Sequence, residues 1–265
     1  MNNPNPRFIT RNPQPATRNM LLSDETLDSL FDGEIKLIQK KSGYRFSVDA
    51  VLLSHFPACK KGDAVLDLGC GCGVISAVLA YRHAQIRIYG VELQDELFEL
   101  SERNIALNGY EERVAVIHGD LRMPKGILPE AFADWVVCNP PYRRLNSGRK
   151  NPNEQKSVAR HEIAISLSRL MEAAGYFLKP RGRAVIIYPA SRAAGLLSAL
   201  SRLRLEPKRL QIVYSYPGCE GDFVLVEAVK GGGEELKIMP PFVIYDRSGE
   251  YSQEMRALYE KERPK

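Results

Sequence analysis

Ala64-Val65-Leu66-Asp67-Leu68-Gly69-Cys70-Gly71-Cys72-Gly73-Val74-Ile75 is the stretch whose reading decides the fold. Val65 and Leu66 belong to a short apolar run of strand type, and Val74 opens a helical run to Ala80. A glycine-rich turn therefore joins the carboxyl end of a strand to the start of a helix, which is where open α/β sheets bind their ligands. Glycine there lets the backbone take positive φ and approach a ligand closely. A dinucleotide site would want Gly-x-Gly-x-x-Gly, whereas Gly69, Gly71 and Gly73 simply alternate and Val74 fills the third glycine's slot. NAD is disfavoured.

Working outward, strand and helix signals alternate: strands at 64–68, 86–91, 114–117 and 135–138, with helices from about Gly73 and over 95–107. Further on come a helix over 162–178, a buried-type strand at 184–188 and a helix over 191–203. The last two strands, 211–214 and 223–229, are joined by a turn holding Pro217, Gly218 and Gly221, so they should pair antiparallel. The expectation is an α/β fold: a seven-stranded, mostly parallel sheet with an antiparallel edge strand and helices on both faces.

Four segments follow from this reading. Residues 1–20 lack periodicity and read as a flexible tail. Residues 21–60 form an N-terminal cap, with a hairpin about Asp32-Gly33 and a helix over 47–56 that stops before Pro57. Residues 61–230 are the core. Residues 231–265 are an extension hinged at Gly231-Gly232-Gly233, with an extended segment ending near Tyr245 and a charged helix over 251–260.

The bulk numbers narrow the class. With 265 residues, 44% apolar and 26% charged, the chain can bury a full core, and no apolar run approaches the ~18 residues of a membrane span. The first twenty residues hold Arg7, Arg11 and Arg18 but lack the apolar segment of a secretory signal. The 5 cysteines have no Cys-x-x-Cys spacing, and His55, His83, His118 and His161 have no metal-ligand spacing, so neither a disulfide framework nor a metal site is expected. A reducing cytoplasm fits best. Net charge is only +5, but Arg143, Arg144, Arg149, Lys150, Lys156 and Arg160 crowd one loop against Glu154 alone. Such a run is either a solvated loop or a contact for a phosphate backbone.

Glu92 ends the second strand about twenty residues beyond the glycine turn, where a carboxylate can accept both ribose hydroxyls of a nucleoside. An ordinary acid at a helix N-terminus is the alternative. Asp120, after the third strand, could accept from an adenine amino group, with a turn or cap role in competition. The Asp-x-Gly-x-Gly-x-Gly form of residues 67–73 resembles the first motif of the Rossmann-like class I methyltransferases, which implies S-adenosylmethionine as cofactor, held by Asp67, Gly69, Gly71, Gly73, Glu92, Asp120 and Asn139.

Asn139-Pro140-Pro141-Tyr142 directly follows the strand Trp135-Val136-Val137-Cys138 and so stands beside the cofactor mouth. The prolines stiffen the backbone and remove N–H donors, leaving carbonyls to accept, and the Asn139 side-chain oxygen is a further acceptor. An exocyclic NH2 offers two donors to such a pair. Its lone pair is delocalised into the ring, and accepting both N–H bonds from Asn139 and the Pro140 carbonyl favours pyramidalisation and stabilises developing positive charge. Tyr142 would stack on a base drawn out of its helical stack. Arg143, Arg144, Arg149 and Lys150 would hold phosphates.

With these motifs in order the chain resembles the bacterial tRNA1(Val) adenine-37 N6-methyltransferase family, and the likeness extends to Gly43-Tyr44-Arg45-Phe46-Ser47-Val48-Asp49-Ala50-Val51-Leu52-Leu53, to Ala159-Arg160-His161-Glu162 and to the tail from Ile244 to Tyr251. The resemblance implies N6 methylation of a tRNA adenine and a tail that contributes to substrate binding. The same Asn-Pro-Pro-Tyr occurs in enzymes that methylate a release-factor glutamine amide, or guanine and adenine amino groups elsewhere. A scaffold that binds RNA without chemistry is the non-enzymatic reading. The basic loop, with Arg202, Arg204, Lys208 and Arg209, favours an RNA backbone over a protein acceptor.

Overall fold

The computed structural model describes residues 21–42, 45, 47–140 and 165–260. Its frame is a parallel run of β3 (Ala64–Leu68), β4 (Arg87–Glu92), β5 (Val114–His118), β6 (Ala133–Cys138) and β7 (Leu178–Pro189), continued by β8 (Leu205–Tyr214) and β9 (Gly221–Lys230). Spatial order is β8-β9-β7-β6-β3-β4-β5. Two two-residue strands, β10 (Lys237–Ile238) and β11 (Phe242–Val243), lie parallel on β8 and bring the sheet to nine strands.

Both faces are buried because successive side chains of a strand point to opposite sides. In β6, Trp135 and Val137 face one apolar layer and Val136 and Cys138 the other. The first layer takes α1 (Val48–His55), α2 (Val74–Arg82) and α3 (Asp95–Leu107), together with Met255 of α6 (Gln253–Tyr259). The second takes α4 (Leu167–Phe177) and α5 (Ala193–Arg202). The seven-stranded, doubly covered sheet expected from the sequence is therefore present. The reversed strand is β9, antiparallel to both β7 and β8, so it lies inside the sheet rather than on its edge. Strand pairing explains the difference: β9 is the more apolar of the two and is buried from Val224 to Val229, while β8, with six of its 10 residues partly exposed, suits an edge.

The N-terminal hairpin is β1 (Glu25–Leu30) and β2 (Ile35–Lys40), turned at Phe31-Asp32-Gly33. The free edge of β2 is closed by side chains rather than by a third strand. Asn104 Oδ1 accepts from Ile38 N at 2.7 Å, and its Nδ2 donates to Ile38 O at 3.0 Å and to Cys72 O at 2.8 Å. One turn on, Asn108 repeats the pattern on Lys36, accepting from its N at 2.9 Å and donating to its O at 2.7 Å. The match is geometric: four residues of helix advance about 6 Å and two of strand about 6.7 Å. Two carboxamides thus stand in for a neighbouring strand, and Asn104 joins hairpin, helix and glycine loop.

The tail closes on the hairpin through rings. Tyr216, Tyr245, Tyr251 and Tyr259 stack successively with centroids 5.3, 5.4 and 5.9 Å apart, and Phe31 follows at 5.6 Å from Tyr259.

Asn104→Ala leaves the buried N–H and C=O of Ile38 and the Cys72 carbonyl without this partner. We expect a loss of about 2–4 kcal/mol in urea unfolding. An unchanged midpoint would mean that the hairpin is held by its apolar face alone.

Candidate active site

Strand register puts the site residues in one row. β3 pairs with β4 on one side and β6 on the other, with Leu68 opposite both Val91 and Cys138, and Glu92 opposite His118. Gly69, Glu92, Asp120 and Asn139 therefore all leave the carboxyl edge of the sheet. The chain runs from β3 outward through β4 to β5 and returns to the other side of β3 as β6, so the crevice between Gly69 and Asn139 is the topological switch point, where such folds bind ligands.

The glycine turn is fixed from below and open above. Gly69 and Cys70 donate their N–H groups to Val91 O at 2.9 and 3.0 Å. Gly69, at φ +72°, has no atom of the described residues within 4 Å of where a Cβ would stand, so they leave space against the backbone for a ligand. Gly73, at φ +81°, starts α2, and a Cβ there would meet Ser101 Cβ at 3.1 Å. Cys70 and Cys72 are buried thiols whose pKa burial pushes up, so they pack rather than react.

Glu92 is 6% exposed and acts as the clasp of the turn: Oε2 accepts from Gly71 N at 2.9 Å and Oε1 from Leu93 N and Gln94 N, both at 2.9 Å. A carboxylate has about four acceptor positions, so capacity remains for a ribose hydroxyl. Asp67 is wholly buried under the turn. Its Oδ2 accepts from Ser76 Oγ at 2.8 Å, while Oδ1 has no hydrogen-bond partner among the described residues. Burial, reinforced by the charge of Glu92, pushes the Asp67 pKa up to about 7. The space at Gly69, the remaining capacity of Glu92 and the unsatisfied Asp67 oxygen fit a nucleoside carrying a cationic amino-acid arm, and S-adenosylmethionine is such a molecule.

Asp120 is at the expected strand end, but its carboxylate faces Arg122. Arg122 Nε lies 2.8 and 2.9 Å from its two oxygens and Nη2 lies 2.6 Å from Oδ2. That guanidinium hydrogen bond holds the Asp120 pKa below its usual range.

Asn139 is half-buried and Pro140 buried at the end of β6. Asn139 Nδ2 donates to Asp49 Oδ2 at 3.1 Å. A carboxylate only accepts, so the amide nitrogen points to Asp49 and its oxygen away from it. Asp49 lies in the segment from Gly43 to Leu53, and the sequence alone assigns it no role. Its place on a helix some ninety residues upstream carries no sequence signal of the contact, which exists only because α1 packs on β6 and β7.

Tyr142, Arg143, Arg144, Arg149, Lys150 and His161 lie outside the described residues. The second basic group does not reach the site. β8 runs parallel to β7, so Arg202 and Arg204, just before Leu205, are at the opposite, amino edge of the sheet. Lys208 Nζ bonds the Glu234 carbonyl at 2.9 Å, and Arg209 is spent on buried Glu227, on the Phe56 carbonyl at 3.0 Å and on the Phe56 ring. The sequence counted these cations by proximity in the chain, and the strand direction separates them. Of the histidines, His55 bridges Val51 O and Leu258 O at 2.8 and 2.7 Å in a local packing role. Among the described residues no group of three or more His, Cys, Asp or Glu is placed to hold a metal, and no helix is long and apolar enough to cross a membrane.

The family described as methyltransferase small domain matches residues 47–202, and the chain belongs to it. It is similar to the tRNA1(Val) (adenine(37)-N6)-methyltransferase of Porphyromonas gingivalis, 29% identical over 224 residues covering 82% of this chain and 87% of the relative. The protein of the same name from Shewanella sp. is 29% identical over 216 residues, covering 80% and 89%. Among solved structures, a predicted O-methyltransferase from Agrobacterium tumefaciens superposes with a TM-score of 0.66 at 20% identity over 80% of this chain and 95% of that one. TYW2 of Pyrococcus horikoshii, in complex with MeSAdo, gives 0.56 at 16% identity over 80% and 73%. These structures share the fold: a class I methyltransferase sheet.

Two outcomes follow from the carboxylates. Because the folded pKa of Asp67 is raised from 3.8 to about 7, the folded state holds the proton more tightly, and this group's contribution to stability is lost as pH rises across that window. Urea unfolding of Asp67→Asn against the parent should show the variant gaining relative stability from pH 4 to pH 7, on the order of a few kcal/mol, and a constant difference would refute the burial argument. Glu92→Ala removes the clasp on Gly71 N and a carboxylate with acceptor capacity at the crevice, and should weaken S-adenosylhomocysteine binding by at least about tenfold in calorimetry.

Proposed function

We propose that this methyltransferase transfers the methyl group of S-adenosylmethionine to the N6 amino group of an adenine in tRNA, at the anticodon-loop position 37 of tRNA1(Val). The observation that carries the reading is the placement of Asn139 and Pro140 directly across the switch-point crevice from Gly69. The names of the relatives, which this chain matches over four-fifths of its length, supply the acceptor.

When bound, S-adenosylmethionine supplies a methyl group made electrophilic by its sulfonium. The residues of the chain do the rest. Gly69 gives backbone room, Glu92 accepts from the ribose, and Asp67 Oδ1, which has no hydrogen-bond partner among the described residues, accepts from the amino-acid arm. Asn139 Oδ1 and the Pro140 carbonyl accept the two N–H bonds of the adenine amine, which localises its lone pair on nitrogen and stabilises positive charge as the new C–N bond forms. The proton then leaves to solvent. Tyr142 would stack on the flipped base, and the basic residues from Arg143 to Lys150 would hold the RNA backbone. A tRNA acceptor implies action in the cytoplasm, and no metal is needed for this chemistry.

The test is labelled methyl transfer to unmodified total tRNA, with nucleoside analysis, beside a release-factor peptide carrying the acceptor glutamine. We expect N6-methyladenosine in the tRNA and loss of at least about 100-fold in rate with Asn139→Ala. Label in the peptide and none in the tRNA would overturn the tRNA reading.

A further inference from the structure

We propose that Asp49 is a positioning residue for transfer: through its hydrogen bond to Asn139 it sets which way the acceptor carboxamide points. The inference rests on the functional reading above in that Asn139 receives the amine. A carboxamide has a donor end and an acceptor end of nearly equal size, and half a turn about its last bond exchanges them. An exocyclic NH2 brings two donors and would be repelled by an Asn139 that presented its own NH2. The site works only if something holds the amide in one orientation.

Asp49 is that holder. It is 5% exposed and sits in the first turn of α1, and its two oxygens are assigned different tasks. Oδ1 accepts from Ser47 Oγ and from Ala50 N at 2.9 Å, which locks the side chain onto its own helix start. Oδ2 accepts from Asn139 Nδ2 at 3.1 Å. The helix is itself anchored: Arg209 bonds the Phe56 carbonyl at its carboxyl end, and His55 bonds the Leu258 carbonyl in the tail. The orientation of Asn139 is thus referred to a rigid element that does not belong to the loop following β6. The carboxylate also places a negative charge one hydrogen bond behind the group that receives developing positive charge, and it polarises the amide so that its oxygen accepts more strongly.

The tests use the full-length protein with an unmodified transcript of tRNA1(Val). Asp49→Ala should lower kcat roughly 10- to 100-fold while KM for the RNA and the affinity for S-adenosylhomocysteine change less than about threefold. Asp49→Asn should recover little, because its amide cannot accept from both Ala50 N–H and Asn139. A structural defect would also slow a protein that lacks Asn139, whereas a positioning role requires that target. In single-turnover measurements the Asp49→Ala/Asn139→Ala double variant should therefore be no slower than Asn139→Ala. Additive losses, or a loss confined to cofactor affinity, would overturn the proposal. If the parent protein labels the release-factor peptide rather than the RNA, the acceptor reading falls, and the same cycle run on the peptide still decides the role of Asp49. Independently of any acceptor, the side-chain NH2 signal of Asn139 in 15N-labelled protein, identified by its loss in Asn139→Ala, should move in Asp49→Ala. A signal that stays in place would contradict the bond.

Discussion

The parallel register that aligns β3 with β4 on one side and β6 on the other is the constraint from which the site follows. Once Leu68 stands level with Val91 and Cys138, the glycine turn, the Glu92 clasp and the Asn139-Pro140 pair must emerge side by side, because each is the next residue or two along its own strand. The side chains then hold in place what the register has brought together. Glu92 grips three backbone N–H groups around the turn, and Asn104 ties the same turn to the N-terminal hairpin through Cys72. The turn is held from the protein side through the N–H groups of Gly69, Cys70 and Gly71 and the carbonyl of Cys72.

Electrostatics divides the carboxylates by task. Glu227 is buried between Arg183 and Arg209 and serves packing, with Arg183 also lying over Trp135 and Arg209 over Phe56. Asp67 is buried with Oδ1 lacking a hydrogen-bond partner among the described residues, a costly arrangement that a cationic ligand arm would relieve. Asp49 is neither: each of its oxygens has a defined partner, and one partner is the Asn139 side chain.

Much of this was legible in the sequence because the decisive motifs are local. A strand, an alternating glycine turn and a helix are contiguous in residues 64–82, and Asn139-Pro140 abuts its strand, so periodicity and turn chemistry place both at the carboxyl edge. What escaped was non-local. Nothing in the spacing of Asn104 and Asn108 reveals that they would cap β2, and nothing near Asp49 reveals Asn139. Arg202 and Arg204 read as a basic cluster until the direction of β8 carries them to the far edge, and the insertion of β9 between β7 and β8 depends on which strand buries more apolar surface. β10 and β11, at two residues each, are too short to show a period.

The most direct measurement is a crystal structure of the protein with S-adenosylhomocysteine and adenosine monophosphate. The account requires a cofactor ribose on Glu92 and the exocyclic nitrogen of the adenine within hydrogen-bond distance of Asn139 Oδ1, with Asn139 Nδ2 still on Asp49. A cofactor seated away from Gly69 and Glu92, or an adenine whose amino group meets the Asn139 nitrogen instead of its oxygen, would contradict it.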